Sequence, residues 1–149
     1  MAKFSYLSSM ELTKDKTARF DIPQISVNNR SPVLICRPAG QANPEYFNVL
    51  LKHSARIAKA VAAGNVTLEM IEESRDKDRD LFARFVVVGW EDVLDDDGVE
   101  VKFTSSTVAD LMEALPVRLF DELRNFANDT SNFVEDVDIE ITAKNSQSG

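Results

Sequence analysis

Residues 86–133 constrain the fold most, because turn, helix and helix-end signals follow one another there at short intervals. The stretch opens with a carboxylate-rich turn that begins at Trp90, in which Asp97-Gly98 separates two strand-like apolar runs. Asp-Gly between such runs is a strong signal for a tight turn, so a short central hairpin is predicted. Two helical patterns follow and meet at Pro116. These signals indicate a compact helical adaptor with an acidic rim rather than reactive chemistry.

A first helix is predicted upstream of this stretch from clear start and stop signals. Asn43 suits the N-cap position, Pro44 the first helical position and Gly64 the stop. Helical spacing predicts one apolar face, which consists of Phe47, Leu50, Leu51, Ser54, Ala58 and Val61.

A second helix is predicted to begin at Thr67, its cap, and to extend to Phe85. Val66 and Ile71 are placed to form a hydrophobic staple around this cap. Residues 72–80 are nearly all charged, which leaves two shorter helices as the alternative. One long helix with a solvated middle is favoured.

The third and fourth helices are predicted on either side of Pro116, which ends one and opens the other. Thr104 caps the third helix, with Phe103 and Val108 as its staple pair. Its apolar face consists of Val108, Leu111, Met112 and Leu115, and the fourth helix is expected to bury Leu119, Phe120, Leu123, Phe126 and Ala127.

Two strands are predicted before the first helix. Residues 18–22 alternate apolar and polar side chains, residues 32–37 are β-branched and bounded by prolines, and residues 27–31 have turn chemistry. An isolated hairpin is marginal in water, so this N-terminal hairpin should lie on the helices. The predicted fold class is α+β, mainly α, with about four helices and two small hairpins.

The predicted organisation is a flexible N-terminal segment at 1–17, a single mainly helical domain at 18–133 and an acidic, partly disordered tail at 134–149. Val137, Ile139 and Ile141 alternate with polar residues within this tail, which is a strand-like pattern.

Composition excludes several classes of function. With 149 residues and a formal net charge of −8, the chain is about one domain and is too acidic to grip phosphate backbones or anionic lipid. Neither a membrane-spanning run nor a secretory signal is present in the sequence, and the lone Cys36 fits a reducing compartment. We expect a soluble cytoplasmic protein that binds neither nucleic acid nor membrane.

No catalytic or cofactor motif stands out. His53 is the single histidine and lacks a nucleophile motif, while Cys36 lies inside a predicted strand and is expected to be a buried, inert thiol. Gly-rich phosphate loops are absent from the sequence. We therefore expect no enzyme activity and no cofactor.

Calcium binding by the acidic turn is an alternative, which a match to the EF-hand pattern would support. With Gly98 as the required glycine, the first ligand position is Val93 and the last is Thr104, so the pattern fails at both ends. We expect no metal site, although weak divalent binding stays open. A solvated turn that steers a basic partner is favoured.

An ordered series of motifs resembles the tail assembly chaperones of long-tailed bacteriophages. The series consists of Gly89-Trp90-Glu91-Asp92-Val93, Asp97-Gly98, Val101-Lys102-Phe103-Thr104, Leu111-Met112-Glu113-Ala114-Leu115-Pro116, Leu119-Phe120-Asp121-Glu122-Leu123 and Asn132-Phe133. Two upstream pieces, 36–39 and 43–48, also fit. The resemblance extends loosely over residues 20–133.

The resemblance implies a non-catalytic role in the host cytoplasm. Such proteins bind the tape measure protein, keep it soluble and help to recruit the major tail tube protein. They are largely helical, self-associate and occur in a short and a longer, frameshifted form. The alternatives are a structural virion component of the tail, such as a terminator, connector or minor tail protein, and a small regulatory or enzyme-accessory domain.

A chaperone of this kind needs an apolar groove with a polar rim. We predict that the groove lies where the fourth helix approaches Trp90, with the acidic turn as its rim, although Trp90 could instead be a core anchor. The predicted partner-binding residues are Trp90, Asp95, Asp96, Asp97, Phe120, Leu123, Phe126 and Phe133.

Overall fold

The computed structural model of the chain describes residues 1–138, in which four α-helices accompany a three-stranded antiparallel sheet. The fold is α+β and mainly helical, as predicted. The predicted strand-like positions Ile139 and Ile141, and residues 139–149 of the predicted tail, lie outside the described residues.

The sheet consists of β1 (Ala18–Asp21), β2 (Val33–Cys36) and β3 (Val87–Glu91), with β2 in the centre. β1 and β2 pair antiparallel, with Ala18 opposite Cys36, which confirms the N-terminal hairpin. Strand β3 was not predicted. A single π-helical turn, Phe82–Val86, leads directly from helix to strand, and it contains no glycine or proline that would mark the boundary.

The four helices are α1 (Pro44–Ala62), α2 (Leu68–Leu81), α3 (Ser105–Ala114) and α4 (Val117–Asn128). Because α2 continues without a break into the π-helical turn, the single long helix is confirmed over two short ones.

Two predicted helix caps are confirmed. The hydroxyl of Thr67 accepts a hydrogen bond from the Met70 amide at 3.2 Å. Thr104 and Thr107 form a reciprocal capping box at the start of α3. A short 3₁₀ turn, Ser5–Met10, lies in the N-terminal segment, whose flexibility stays a prediction.

Asn43 occupies the predicted N-cap position but does not cap α1 with its side chain. Its amide nitrogen instead donates to the carbonyl oxygens of Pro38 at 3.1 Å and Phe85 at 2.8 Å. The residue is only 2% exposed. Asn43 therefore joins the start of α1 to the chain segments that lead out of β2 and into β3.

The predicted apolar face of α1 points mostly to solvent. Tyr46 is the one fully buried residue of the helix, and Leu50, His53 and Ile57 continue its half-buried side. Leu51 and Val61, both members of the predicted apolar face, are 51% and 57% exposed. Spacing could not decide the orientation, because apolar residues cover two adjoining sides of α1.

The core lies between the inner face of the sheet, the π-helical turn, α3 and α4. Phe82 is at its centre, with the ring of Tyr46 at 5.8 Å and that of Phe120 at 5.3 Å, both edge-to-face. Such contacts add about 0.5–1.5 kcal/mol each beyond the buried area. The aromatic cluster thus holds α1 and α4 against the π-helical turn.

The central hairpin is present in reduced form. One bridge joins Leu94 to Glu100, and the Val101 amide donates to the Val93 carbonyl at 2.8 Å. No helix among residues 1–138 combines the length and the apolar content that crossing a bilayer requires.

Candidate partner-binding groove

An open groove of about 650 Å³ lies between the end of β3 and the returning arm of the central hairpin. Trp90, Val93, Val101 and Phe103 supply its apolar side chains, and Glu91, Asp92, Glu100 and Lys102 its charged ones. We call this feature the Trp90 groove.

Two contacts fix the indole of Trp90 in the groove. Its ring nitrogen donates to the Val101 carbonyl at 2.8 Å, and the ring of Phe103 meets it edge-to-face at 5.1 Å. Trp90 is half-buried. It therefore serves as an anchor of the hairpin and still presents apolar surface to the groove.

The acidic turn is built around Asp95. Its carboxylate accepts hydrogen bonds from the amides of Asp97 at 2.9 Å and Val99 at 3.0 Å, and Gly98 closes the turn at φ +75°. The side chain of Asp95 thus stabilises the turn itself. Asp96 and Asp97 are exposed, so they supply the carboxylates that point away from the turn.

Arg30 ties the acidic turn to the N-terminal hairpin. Its Nε donates to Asp92 at 2.9 Å, and its Nη2 also reaches Glu100. Arg30 follows a tight turn in which Asn28 and Asn29 have φ of +53° and +62°. A Cβ at Gly98 would lie 2.7 Å from the Asn28 amide nitrogen, so the Asn28 side chain would have to move if Gly98 were replaced by alanine.

A second ion pair lies on the rim. Arg19 of β1 reaches across the sheet to Glu91 of β3. The hydrogen bond from this guanidinium lowers the pKa of Glu91 below its usual range. Two rim arginines, Arg19 and Arg30, were not foreseen, because only the pairing of the strands brings them to the acidic turn.

Trp90 is the one predicted site residue that lines the groove, since Asp95, Asp96 and Asp97 lie in the turn beyond it. Phe120 and Leu123 are buried, at 3% and 0% exposure, and pack in the core. Phe126 contacts the rings of Phe20 at 5.1 Å and Phe133 at 5.9 Å.

Strand register separates this aromatic cluster from Trp90. Phe20, Leu34 and Trp90 stand opposite one another on β1, β2 and β3. Because neighbouring strands lie about 4.8 Å apart, the Phe20 and Trp90 backbones are roughly 10 Å apart. Phe126 and Phe133 therefore lie at the β1 edge and Trp90 at the β3 edge of the same sheet.

The two residues weighed for catalysis lie elsewhere. Cys36 is fully buried, as predicted, and burial raises the pKa of its thiol to about 12. The ring nitrogen Nε2 of His53 lies 3.2 Å from the Ser74 hydroxyl, a contact between α1 and α2. Within residues 1–138 no three His, Cys, Asp or Glu side chains converge in a way that would hold a metal ion.

A comparison with protein-family models places this small α+β protein among the proteins of prophages. The model described as YdaY prophage protein matches residues 41–145. The chain belongs to this family and is therefore associated with bacteriophages. The match begins after β2 and includes α1, the remaining helices and β3. Searches of curated proteins and of solved structures give no match.

Proposed function

We propose that the chain is a non-catalytic tail assembly chaperone that binds the tape measure protein in the host cytoplasm and keeps it soluble. Membership of a prophage family supports a role in phage biology. The observation that carries the proposal is the Trp90 groove, which combines half-buried apolar side chains with a charged rim. This combination is typical of surfaces that receive one face of an amphipathic helix.

The charge of the rim favours a basic partner. Arg30 already neutralises part of the charge of Asp92 and Glu100, and Asp96 and Asp97 are exposed in the adjoining turn. A helix with an apolar stripe flanked by lysine or arginine would place apolar side chains against Trp90 and its cations near these carboxylates. Such complementarity accelerates association more than it raises affinity.

The proposal also includes recruitment of the major tail tube protein once the tape measure protein is bound. Neither step requires an enzyme activity, a cofactor or a metal ion. The buried, protonated thiol of Cys36 agrees with a non-catalytic role, since the thiolate is the reactive form.

The test is co-expression with the tape measure protein. Val101→Lys places a charge among the apolar side chains of the groove, whereas Val117→Lys places one on the exposed first turn of α4, which is 46% exposed and does not line the groove. We expect Val101→Lys to weaken binding about tenfold, equivalent to about 1.4 kcal/mol, and so to lower the recovery of soluble tape measure protein, and Val117→Lys to have no effect.

Circular dichroism must show that both variants remain folded. Equal recovery of tape measure protein with the two variants would overturn the assignment of the groove. Mass spectrometry of purified particles distinguishes the structural alternative, because a virion component would be present in the finished tail and a chaperone would be missing from it.

A further inference from the structure

The charged side chains that line the Trp90 groove differ in whether they have an ion-pair partner. The carboxylates of Glu91, Asp92 and Glu100 each contact an arginine of the N-terminal hairpin. Lys102 also lines the groove and is exposed, but it forms no ion pair with any other residue in 1–138. Within this part of the chain, the charged group of the groove that lacks a counterion is therefore a cation.

The backbone on both sides of Lys102 is held in place. The Val101 amide donates to the Val93 carbonyl, and the Val101 carbonyl accepts from the Trp90 indole nitrogen, both at 2.8 Å. The Lys102 carbonyl accepts from the Thr107 hydroxyl at 2.7 Å, which ties it to the start of α3. Groups that are fixed before binding lose less conformational freedom when a partner arrives. Lys102 therefore extends from a defined point on the groove.

Opposite charges lie at two separate points along the groove and its turn. Asp96 and Asp97 are exposed in the turn, and Lys102 lies on the arm that returns from it. Residues 99–102 of this arm span about 10 Å if extended. Because an α-helix rises about 1.5 Å per residue, about seven residues of a bound helix cover that distance. Two side chains seven residues apart lie on the same face of a helix.

A helix that covers the apolar floor of the groove also removes water from the charged groups beside it. A charge that loses water without gaining a partner is costly. Glu91, Asp92 and Glu100 already have arginine partners, whereas the Lys102 ammonium needs a counterion from the bound helix.

We propose that the partner helix places a carboxylate against Lys102 and, about seven residues away, a lysine or arginine against Asp96 and Asp97. This pairing rests on the proposed function, since it specifies the charges of the tape measure protein segment that the same groove would bind. The pairing makes Lys102 a determinant of specificity, because a segment with cations alone would leave the ammonium unpaired.

Lys102→Glu distinguishes this pairing from simple attraction of a basic segment. A groove that only attracts cations would bind more tightly after the change, whereas a carboxylate facing position 102 would be repelled. We expect binding to weaken about tenfold. Fluorescence anisotropy measures it with labelled, overlapping peptides of the tape measure protein, each about 18 residues long so that a helix can form.

Lys59→Glu is the control for Lys102→Glu. It changes the net charge by the same amount at an exposed position of α1 that does not line the groove, and should leave binding unchanged. Circular dichroism must show that both variants remain folded.

A compensating change in the peptide tests the pairing directly. The peptide that binds the wild type most tightly should carry a cation and a carboxylate about seven residues apart. Replacing that carboxylate by lysine should weaken binding to the wild type and restore binding to the Lys102→Glu variant.

The outcomes separate this pairing from the proposed function. If Val101→Lys weakens peptide binding but Lys102→Glu leaves it unchanged or strengthens it, the pairing is overturned and the proposed function stands. Failure of the lysine-substituted peptide to restore binding would also overturn the pairing alone. If Val101→Lys has no effect, or if none of the peptides binds the wild type, the assignment of the groove and the pairing are both overturned.

Discussion

At the scale of single residues, the buried Asn43 and the half-buried Arg79 connect parts of the chain that are distant in sequence. The Asn43 amide binds the carbonyls of Pro38 and Phe85. The Arg79 guanidinium binds the carbonyls of Met112 and Leu115, the latter at 2.8 Å. In both cases the side chain donates to backbone carbonyls that accept no hydrogen bond from a helix or a strand. Losing such a bond leaves a polar group unpaired.

Asn43→Asp separates the observed role of this residue from the one predicted for it. Asparagine and aspartate are about equally good N-caps, so a capping role predicts little change. A carboxylate cannot donate to two carbonyls, so we expect the free energy of unfolding at pH 7 to fall by about 2–4 kcal/mol. Urea denaturation measures this loss.

Asn48→Asp is the control for Asn43→Asp, since residue 48 is exposed on the first turns of the same helix. It should alter the free energy of unfolding by no more than about 0.5 kcal/mol. Similar results for the two variants would argue against the pair of carbonyl contacts.

Arg79→Met keeps the apolar stem of the side chain and removes its donors. Arg79 ends α3 by binding its last carbonyls and lies 4.9 Å from the ring centre of Phe120. We expect a loss of about 2–3 kcal/mol in urea denaturation, as for hydrogen bonds that involve a charged group. Arg75→Met, one turn earlier and exposed, should be near neutral; an equal effect of the two changes would contradict this role.

At the scale of elements, helix limits could be predicted well and orientation could not. Caps and stops such as Thr67, Thr104 and Gly64 are local signals, and the helices begin and end at them. The orientation of α1 about its own axis depends on which of its two apolar sides contacts Phe82. That contact joins residues that are distant in sequence, so spacing within α1 does not reveal it. β3 was missed for a related reason, since its pairing with β2 defines it and no local turn signal precedes it.

The turn at Gly98 gives a prediction at this scale. Gly98 and Gly64 have similar left-handed conformations, with φ of +75° and +71°, but only Gly98 approaches another side chain. Alanine at either position costs about 1–2 kcal/mol for the backbone conformation alone. Gly98→Ala should therefore lower the thermal midpoint more than Gly64→Ala. Equal shifts would show that the contact with Asn28 contributes nothing.

At the scale of the whole molecule, one partly buried carboxylate makes stability depend on pH. Burial raises the pKa of Asp78, and the nearby charges of Arg124 and His53 oppose this only in part. The folded chain thus holds the proton more tightly than the unfolded chain. The resulting stability is full below the unfolded pKa and is lost as the pH rises through the folded pKa.

Asp78→Asn should therefore raise the free energy of unfolding at pH 7, and the gain should vanish near pH 3. We expect at most about 1 kcal/mol, because the group keeps some contact with solvent. Asp121→Asn removes an exposed carboxylate that also pairs with Arg124, at 3.4 Å, and should change little. A clear loss of stability in Asp78→Asn would mean that its ion pair with Arg124 outweighs the cost of burial.

The candidate groove could be predicted in part. Trp90 and the acidic turn were recognisable because a single tryptophan beside Asp-Gly is a local pattern. The apolar partners of Trp90 were misplaced, since Phe103 and Val101 approach it through the hairpin, while Phe120 and Leu123 turn into the core. Helical spacing marks residues as apolar but does not say whether they contact the core or another protein.

The central position of β2 in the sheet determines which fragments of this protein can fold. A fragment that starts at residue 41, where the family match begins, keeps β3 but discards β1 and β2, including the one strand with which β3 pairs. Leu81, Phe82 and Val86 would become exposed to solvent, and the unpaired edge of β3 would promote aggregation. We expect such a fragment to be recovered in inclusion bodies and the full chain in the supernatant, so the segment that the family model matches and the smallest autonomous folding unit would have different limits.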